Sequence, residues 1–481
     1  MKLVLDIDQH PDGRLAGSVG LRGDAALRPF SGVMELVASL EQLCETAARA
    51  DRKEGAMSQL FFVDPAFEFE TRNLLGNVHY GCGDIGEILA TVAAITDGDD
   101  ASWVGCWQQL AGRVEAVAAD TLTRGHAVSA RNAYLRAAAY YAAALTAVDG
   151  AEAGEELLGP LFAAHRRCFA AHVRLLDPPG QPVAIPYEGG TLPGYLFVPA
   201  ADGRGRPTVI LNNGSDGPVT ALWPGLGAPA LARGYNALVF DGPGQQSMLF
   251  GRQVPFRPDW EHVITPVVDF LTQRPEVDAG RLVLYGISQA GYWVPRALAF
   301  EHRIAAAVAD PGVDDVAASW RANLPPQLLA LLDAGDQENF DAFMAIGLQS
   351  ATPRQRQVMR WRAKPYGTGD SAYAVFKAVE QYRLGDLVSR IRTLIMITDP
   401  DGEQFWPGQS RRLYHALPGP KVLVPFTRAE GADLHCEPMA RSLLEQRMFD
   451  WLDEVLDGPP CTAGTARRPA RRIPASRRRA P

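Results

Sequence analysis

The residues with the types and spacing for nucleophilic chemistry lie in the second half of this chain. Ser288 stands in Gly286-Ile-Ser-Gln-Ala-Gly291, after a short apolar run, Leu282 to Tyr285, and before a segment of helical character, Tyr292 to Phe300. A strand that turns sharply into a helix lifts a serine hydroxyl above the sheet edge. It also aims the first N–H groups of the helix at whatever the serine attacks. Glycines flank such a serine because its backbone is strained and its neighbours pack closely. The usual G-x-S-x-G pattern puts glycine at position 290; here Ala290 stands there and Gly291 follows. Alone, the motif is weak evidence, and its value depends on what surrounds it.

Three other stretches fall where such a serine needs them. The strand Thr208 to Leu211 ends in Asn212-Asn-Gly-Ser-Asp-Gly217. A glycine-rich loop there can present a backbone N–H to a developing oxyanion, from Ser215 first and Gly214 second, paired with the N–H of Gln289. Glu430-Gly-Ala-Asp-Leu-His-Cys436 follows the last strand, and His435 on it is the expected general base. The acid should follow the strand Thr393 to Thr398, in Asp399-Pro-Asp-Gly-Glu-Gln-Phe-Trp-Pro407. Glu403 precedes Pro407 by four positions, Asp401 lies three beyond the strand end, and Asp399 suits a turn. Glu403 and Asp401 both stand as candidates. Asp241-Gly-Pro-Gly-Gln-Gln246 reads as a tight turn bordering the same crevice.

Around these stretches the chain alternates strand and helix from about residue 177 to 456, with a helical insertion at about 311–388. That pattern demands an α/β architecture, a mostly parallel, doubly wound sheet with catalytic loops at the strands' C-terminal ends. Residues 57–176 are Ala-rich and helical, and are expected to form a cap. Their most distinctive helix, Asn132 to Tyr141, carries Tyr134, Tyr140 and Tyr141. Each combines apolar area with a polar tip, so each could face a substrate pocket or pack a core. Trp293, Phe405 and Trp406 are the other candidate pocket walls. Residues 1–50 read as a small unit of two strands, Leu3 to Ile7 and Leu15 to Val19, joined at His10-Pro-Asp-Gly13 and followed by a helix with Ser31 as its cap and Met34, Leu36, Val37, Leu40 and Leu43 inward. Packing or homodimer contacts are its expected use.

The composition is that of a globular protein, 47% hydrophobic and 21% charged. Net charge is −8 although residues 458–481 carry seven arginines and no acid. The acidic remainder argues against nucleic acid as a partner, and the Arg/Pro-rich tail is expected to be disordered. No apolar run suits a membrane span, and the first residues lack a signal-peptide layout, so a cytoplasmic protein without a membrane partner is expected. The six cysteines are scattered and no His/Cys cluster has zinc spacing, so free thiols, no metal and no cofactor are expected.

The Gly286–Gly291 elbow, the Asn212–Gly217 loop, Asp241-Gly-Pro-Gly-Gln245 and the His435-Cys436 loop together resemble the α/β-hydrolase superfamily. The closer likeness is to the branch containing 2,6-dihydropseudooxynicotine hydrolase, the fermentation/respiration switch protein and fungal heptaketide hydrolases. The resemblance covers roughly residues 57–456. It implies a roofed site, no metal and a triad of Ser288, His435 and an acid. It also implies a small carbonyl substrate, either an ester or a ketone cleaved at the adjacent C–C bond by retro-Claisen chemistry. An esterase, acyltransferase or peptidase of the same fold would use the same residues. A non-catalytic binding protein of hydrolase shape is the rival of another class.

Overall fold

The computed structural model describes residues 3–9, 15–21, 28–31 and 60–456. Strands β1 (Leu3–Gln9) and β2 (Leu15–Leu21) pair antiparallel, with Leu3 opposite Leu21 and Gln9 opposite Leu15, as the turn chemistry between them demands. A third strand, β3 (Arg28–Ser31), pairs antiparallel with β2. Ser31 therefore ends a strand instead of capping a helix, and the helix expected beyond it lies outside the described residues. So does the Arg/Pro-rich tail.

Five helices follow: α1 (Pro65–Gly76), α2 (Ile85–Val92), α3 (Asp100–Thr123), α4 (Ala127–Leu145) and α5 (Gly154–Arg174). The first three start where an aspartate (Asp64, Asp84, Asp99) accepts from two amides of the first turn. Alanines let α4 sit close between its neighbours, and every residue from Ala137 to Leu145 is buried. Phe67, Trp103, Trp107 and Tyr140 pack ring against ring in succession through this layer, the two tryptophans edge to face.

Eight strands form the main sheet: β4 (Gln181–Tyr187), β5 (Gly190–Phe197), β6 (Arg206–Asn212), β7 (Asn236–Phe240), β8 (Val277–Ile287), β9 (Ala306–Asp310), β10 (Leu394–Pro400) and β11 (Lys421–Phe426). Their order is β11-β10-β9-β8-β6-β7-β5-β4, with only the β4–β5 and β5–β7 pairs antiparallel. The β4–β5 turn needs positive φ at Glu188 and Gly189. Alternate residues of the central strands face opposite layers. Val209, Leu211, Val239 and Val283 join the N-terminal helices and α14 (Arg441–Leu456), while Ile210, Leu238 and Leu284 join α7 (Glu261–Thr272) and α8 (Ala290–Leu298). Between β7 and α7 lies α6 (Gln246–Arg252). The insertion after β9 contributes α9 (Pro326–Ala334), α10 (Gln337–Ser350), α11 (Pro353–Ala363) and α12 (Ala372–Val379); α13 (Gln409–Ala416) follows β10.

The N-terminal helices are fastened to the sheet domain on two sides. Arg354 of α11 pairs with Asp64 and Asp100, and the Tyr80 hydroxyl donates to Glu445 of α14. Gly76, at the end of α1, lies so close to the loop after His435 that an added Cβ would stand 1.7 Å from the Pro438 carbonyl oxygen. No helix among the described residues is long and apolar enough to cross a membrane. The contact at Gly76 yields a test: Gly76→Ala must push α1 off the Pro438 loop. It should destabilise the protein by about 1–3 kcal/mol, the usual cost of overpacking, read as a lower urea midpoint.

Candidate active site

Ser288 sits between the end of β8 and the start of α8 with φ +59°, the left-handed region that side chains avoid. Its N–H donates to the Asp310 carbonyl at the end of β9, 2.6 Å away. The glycines around it are there for space. At Gly286 a Cβ would meet the Ala290 carbonyl at 2.5 Å, and at Gly291 it would meet the Pro311 carbonyl at 1.8 Å. Ala290 is fully buried yet fits, because the close approach falls on Gly291. The departure from G-x-S-x-G therefore leaves the elbow intact.

His435 Nε2 lies 2.9 Å from Ser288 Oγ, and its Nδ1 lies 2.8 Å from Glu403 Oε2. Glu403 Oε1 also accepts from the amides of Phe405 and Trp406. Burial alone would raise the Glu403 carboxyl, but His435 and those two amides outweigh it and hold the group below the usual carboxylate range. Of the two acids left open by the sequence, the loop brings Glu403 to the histidine. Asp401 is exposed: its N–H is tied to Phe426, and Gly402 is tied to Asp433, so the chain turns inward only at 403.

The loop after β6 packs directly on the serine. A Cβ at Gly214 would stand 2.8 Å from Ser288 Cβ, so only glycine fits. The Gly214 N–H, however, is taken by Asn213 Oδ1 at 2.9 Å, which removes it as an oxyanion donor. The N–H groups of Ser215 and Gln289 have no acceptor among the described residues. Gln245, which the sequence offered only as part of a turn, stitches this region together. Its Oε1 accepts from the Gly242 N–H, and its Nε2 donates to the Asn213 and Gly214 carbonyls. The signal for it was the last position of Asp-Gly-Pro-Gly-Gln.

Four of the six candidate pocket residues lie elsewhere. Tyr140 is sealed inside the N-terminal helices, its hydroxyl donating to Glu87 and accepting from the Asp84 N–H. Tyr141 donates to Glu115, and Tyr134 packs on the same core. Helical spacing turns these three toward α3 and its neighbours instead of the serine. Trp293 is buried beneath the elbow, stacked on Trp260 at 4.2 Å. Trp406 does stand at the site, its ring 5.6 Å from that of His435, beside Phe405 at 4.6 Å. Phe69 of α1, absent from the sequence expectations, completes this wall at 6.4 Å. A narrow pocket of about 10 Å³ opens beside Ser215 and Asp216, lined also by Gln246, Leu249, Phe250 and Trp361.

Beneath the site, Asp310 accepts hydrogen bonds from the Tyr285 and Thr398 hydroxyls, and its carbonyl accepts from Cys436 Sγ as well as from Ser288. Glu437 is fully buried beside it. Burial and the Asp310 charge hold the Glu437 carboxyl well above the usual carboxylate range, with Arg441 opposing.

No protein-family model matches the chain. An α/β-hydrolase of Xenoacremonium sinensis is 31% identical over 432 residues, covering 82% of this chain and 98% of that protein. The 20-hydroxy-prefusarin hydrolase of Gibberella moniliformis is 30% identical over 421 residues, covering 82% and 97%. The chain belongs to the α/β-hydrolase family. The crystal structure of 2,6-dihydroxy-pseudo-oxynicotine hydrolase shares the fold, with a TM-score of 0.57 at 20% identity over 79% of this chain and 95% of that one. The strand order β6-β8-β9-β10 and the placement of Ser288, Glu403 and His435 after β8, β10 and β11 are what an α/β-hydrolase sheet provides.

The buried Glu437 has a pH consequence. Its folded pKa is raised, so the unfolded chain releases a proton above the ordinary carboxylate range while the folded chain keeps it. Its contribution to stability is therefore lost as pH rises. Glu437→Gln should melt progressively higher, relative to the natural protein, as pH is taken from 5 to 9 in thermal scans.

Proposed function

We propose that this α/β-hydrolase is a serine enzyme that acts through a covalent acyl-enzyme on a small carbonyl compound. It would cleave an ester or a C–C bond next to the carbonyl in an aromatic or polyketide-like substrate. The continuous chain of hydrogen bonds from Ser288 Oγ through His435 to Glu403 carries this reading. In it, Ser288 attacks the carbonyl carbon as His435 takes the serine proton. Glu403 holds the imidazole in the tautomer with hydrogen on Nδ1 and stabilises the imidazolium that forms. The N–H groups of Ser215 and Gln289 receive the oxyanion. Collapse expels the leaving group, and water activated by His435 then releases the acyl group.

The substrate class is supported by the aromatic wall of Phe69, Phe405 and Trp406. It is also supported by likeness to relatives such as 20-hydroxy-prefusarin hydrolase. Ester and C–C cleavage share every residue named so far and differ in the leaving group. An alkoxide departs with little help, whereas a carbanion must be protonated or held as an enolate.

Labelling with a fluorophosphonate probe followed by peptide mass spectrometry tests the nucleophile. The adduct should fall on Ser288 and be absent from both Ser288→Ala and His435→Ala. Should the folded protein resist this probe and smaller ones, the serine-enzyme reading is wrong. A second prediction separates the acids. Glu403→Gln should lower the rate constant of labelling by about 10⁴-fold, as loss of the orienting acid does in such triads. Asp401→Asn should leave it near that of the natural protein.

A further inference from the structure

We propose that Glu70 of α1 donates a proton to the departing carbon when this site cleaves a C–C bond, a role that rests on the serine-hydrolase reading above. Helix α1 lies across the site. Its last residue, Gly76, is pressed on Pro438 just beyond His435, and one to two turns earlier Phe69 packs on Phe405 and His435. Glu70 is the next residue. Its carboxyl feels Asp216 of the loop that follows β6, on the other side of the serine, and Arg354 of α11. It thus stands on the helix that crosses the site, beside the ring that packs on His435.

Glu70 is half-buried and makes no hydrogen bond or ion pair among the described residues. Its neighbour Glu68 makes the contrast. Glu68 accepts from the amides of Leu60, Phe61 and Phe62 and from Arg72, and it fastens the start of α1. A carboxyl withdrawn from water without such partners favours its neutral form. Burial and then the Asp216 charge raise the Glu70 carboxyl to about 8, with Arg354 opposing. Arg354 is already engaged by Asp64 and Asp100, and Arg72 on the same helix by Glu68. Below, His435 and Glu403 are paired with each other. Glu70 therefore favours its protonated form at neutral pH, the state a general acid needs.

The step balances. Ser288 adds to the ketone and its proton passes to His435. Collapse of the adduct re-forms the C=O and breaks the C–C bond, whose electron pair goes to the departing α-carbon. Glu70 gives its proton to that carbon and becomes a carboxylate. The imidazolium of His435 returns a proton to Glu70 through water. The acyl-serine is then hydrolysed with His435 as base.

The test compares p-nitrophenyl butyrate, whose leaving group departs without a proton, with 1-phenyl-1,3-butanedione, whose carbon needs one. Steady-state rates of the full chain are measured on both. Glu70→Gln should lower the ratio of diketone to ester kcat/KM by about 10²–10⁴-fold, the usual worth of a general acid, and Glu70→Asp should restore part of it. In the natural protein the diketone rate should fall as pH rises through about 8, while the ester rate does not follow it. An equal loss on both substrates, or a natural protein that hydrolyses the ester and leaves the diketone intact, overturns the role of Glu70 while serine chemistry stands. A natural protein that neither labels at Ser288 nor turns over the ester removes the hydrolase reading and this role with it.

Discussion

A side chain held at positive φ costs roughly 1–3 kcal/mol and persists only where its surroundings over-determine it. Ser288 is held in that way by the carbonyl oxygen of Asp310, which accepts the serine N–H, while Gly286 and Gly291 let α8 and Pro311 close in around the turn. The same carbonyl accepts from Cys436, the residue after His435. Cys436 and Glu437 are themselves at positive φ, and Arg441 holds the Cys436 carbonyl. One peptide oxygen at the end of β9 thus sets both the height of Ser288 and the position of His435. This is why a 2.9 Å contact forms between residues on two different loops.

The charges under the site follow from the same crowding. Glu403 is kept ionised because the imidazole and two amides face it, whereas buried Glu437 and half-buried Glu70 lack comparable support and favour the neutral form. Three glutamates within one region therefore do different work. One is hydrogen-bonded to a histidine, one lies in a buried acidic cluster, and one favours its neutral form on α1. Position in the fold, not residue type, assigns the protonation state.

The roof depends on close backbone approach. Gly76 lets α1 touch the Pro438 loop, Gly214 lets the loop after β6 touch Ser288, and Gln245 ties that loop to the turn after β7. The α/β-hydrolase sheet places the loop ends in one plane. These contacts at single residues bring them within reaction distance.

Much of this was legible in the residues themselves. The apolar run before Gly286, the glycine-rich stretch after Leu211 and the histidine after the last strand each carry a local signal. Strand–helix alternation then forces the parallel sheet that gathers them. The choice between Glu403 and Asp401 was not local. It depends on the Asp401 N–H meeting Phe426 and the Gly402 N–H meeting Asp433, two contacts between separate loops. The tyrosines of α4 misled for a related reason. Helical periodicity shows that they share a buried face but not which layer covers it, and here it is the other N-terminal helices. Phe69 and Glu70 had no sequence signal, since their role arises only from where α1 lands. Local pattern determined Ser288, His435 and the sheet. Packing between distant segments decided which acid meets His435 and which rings stand beside it, because those depend on distances that no spacing along the chain encodes.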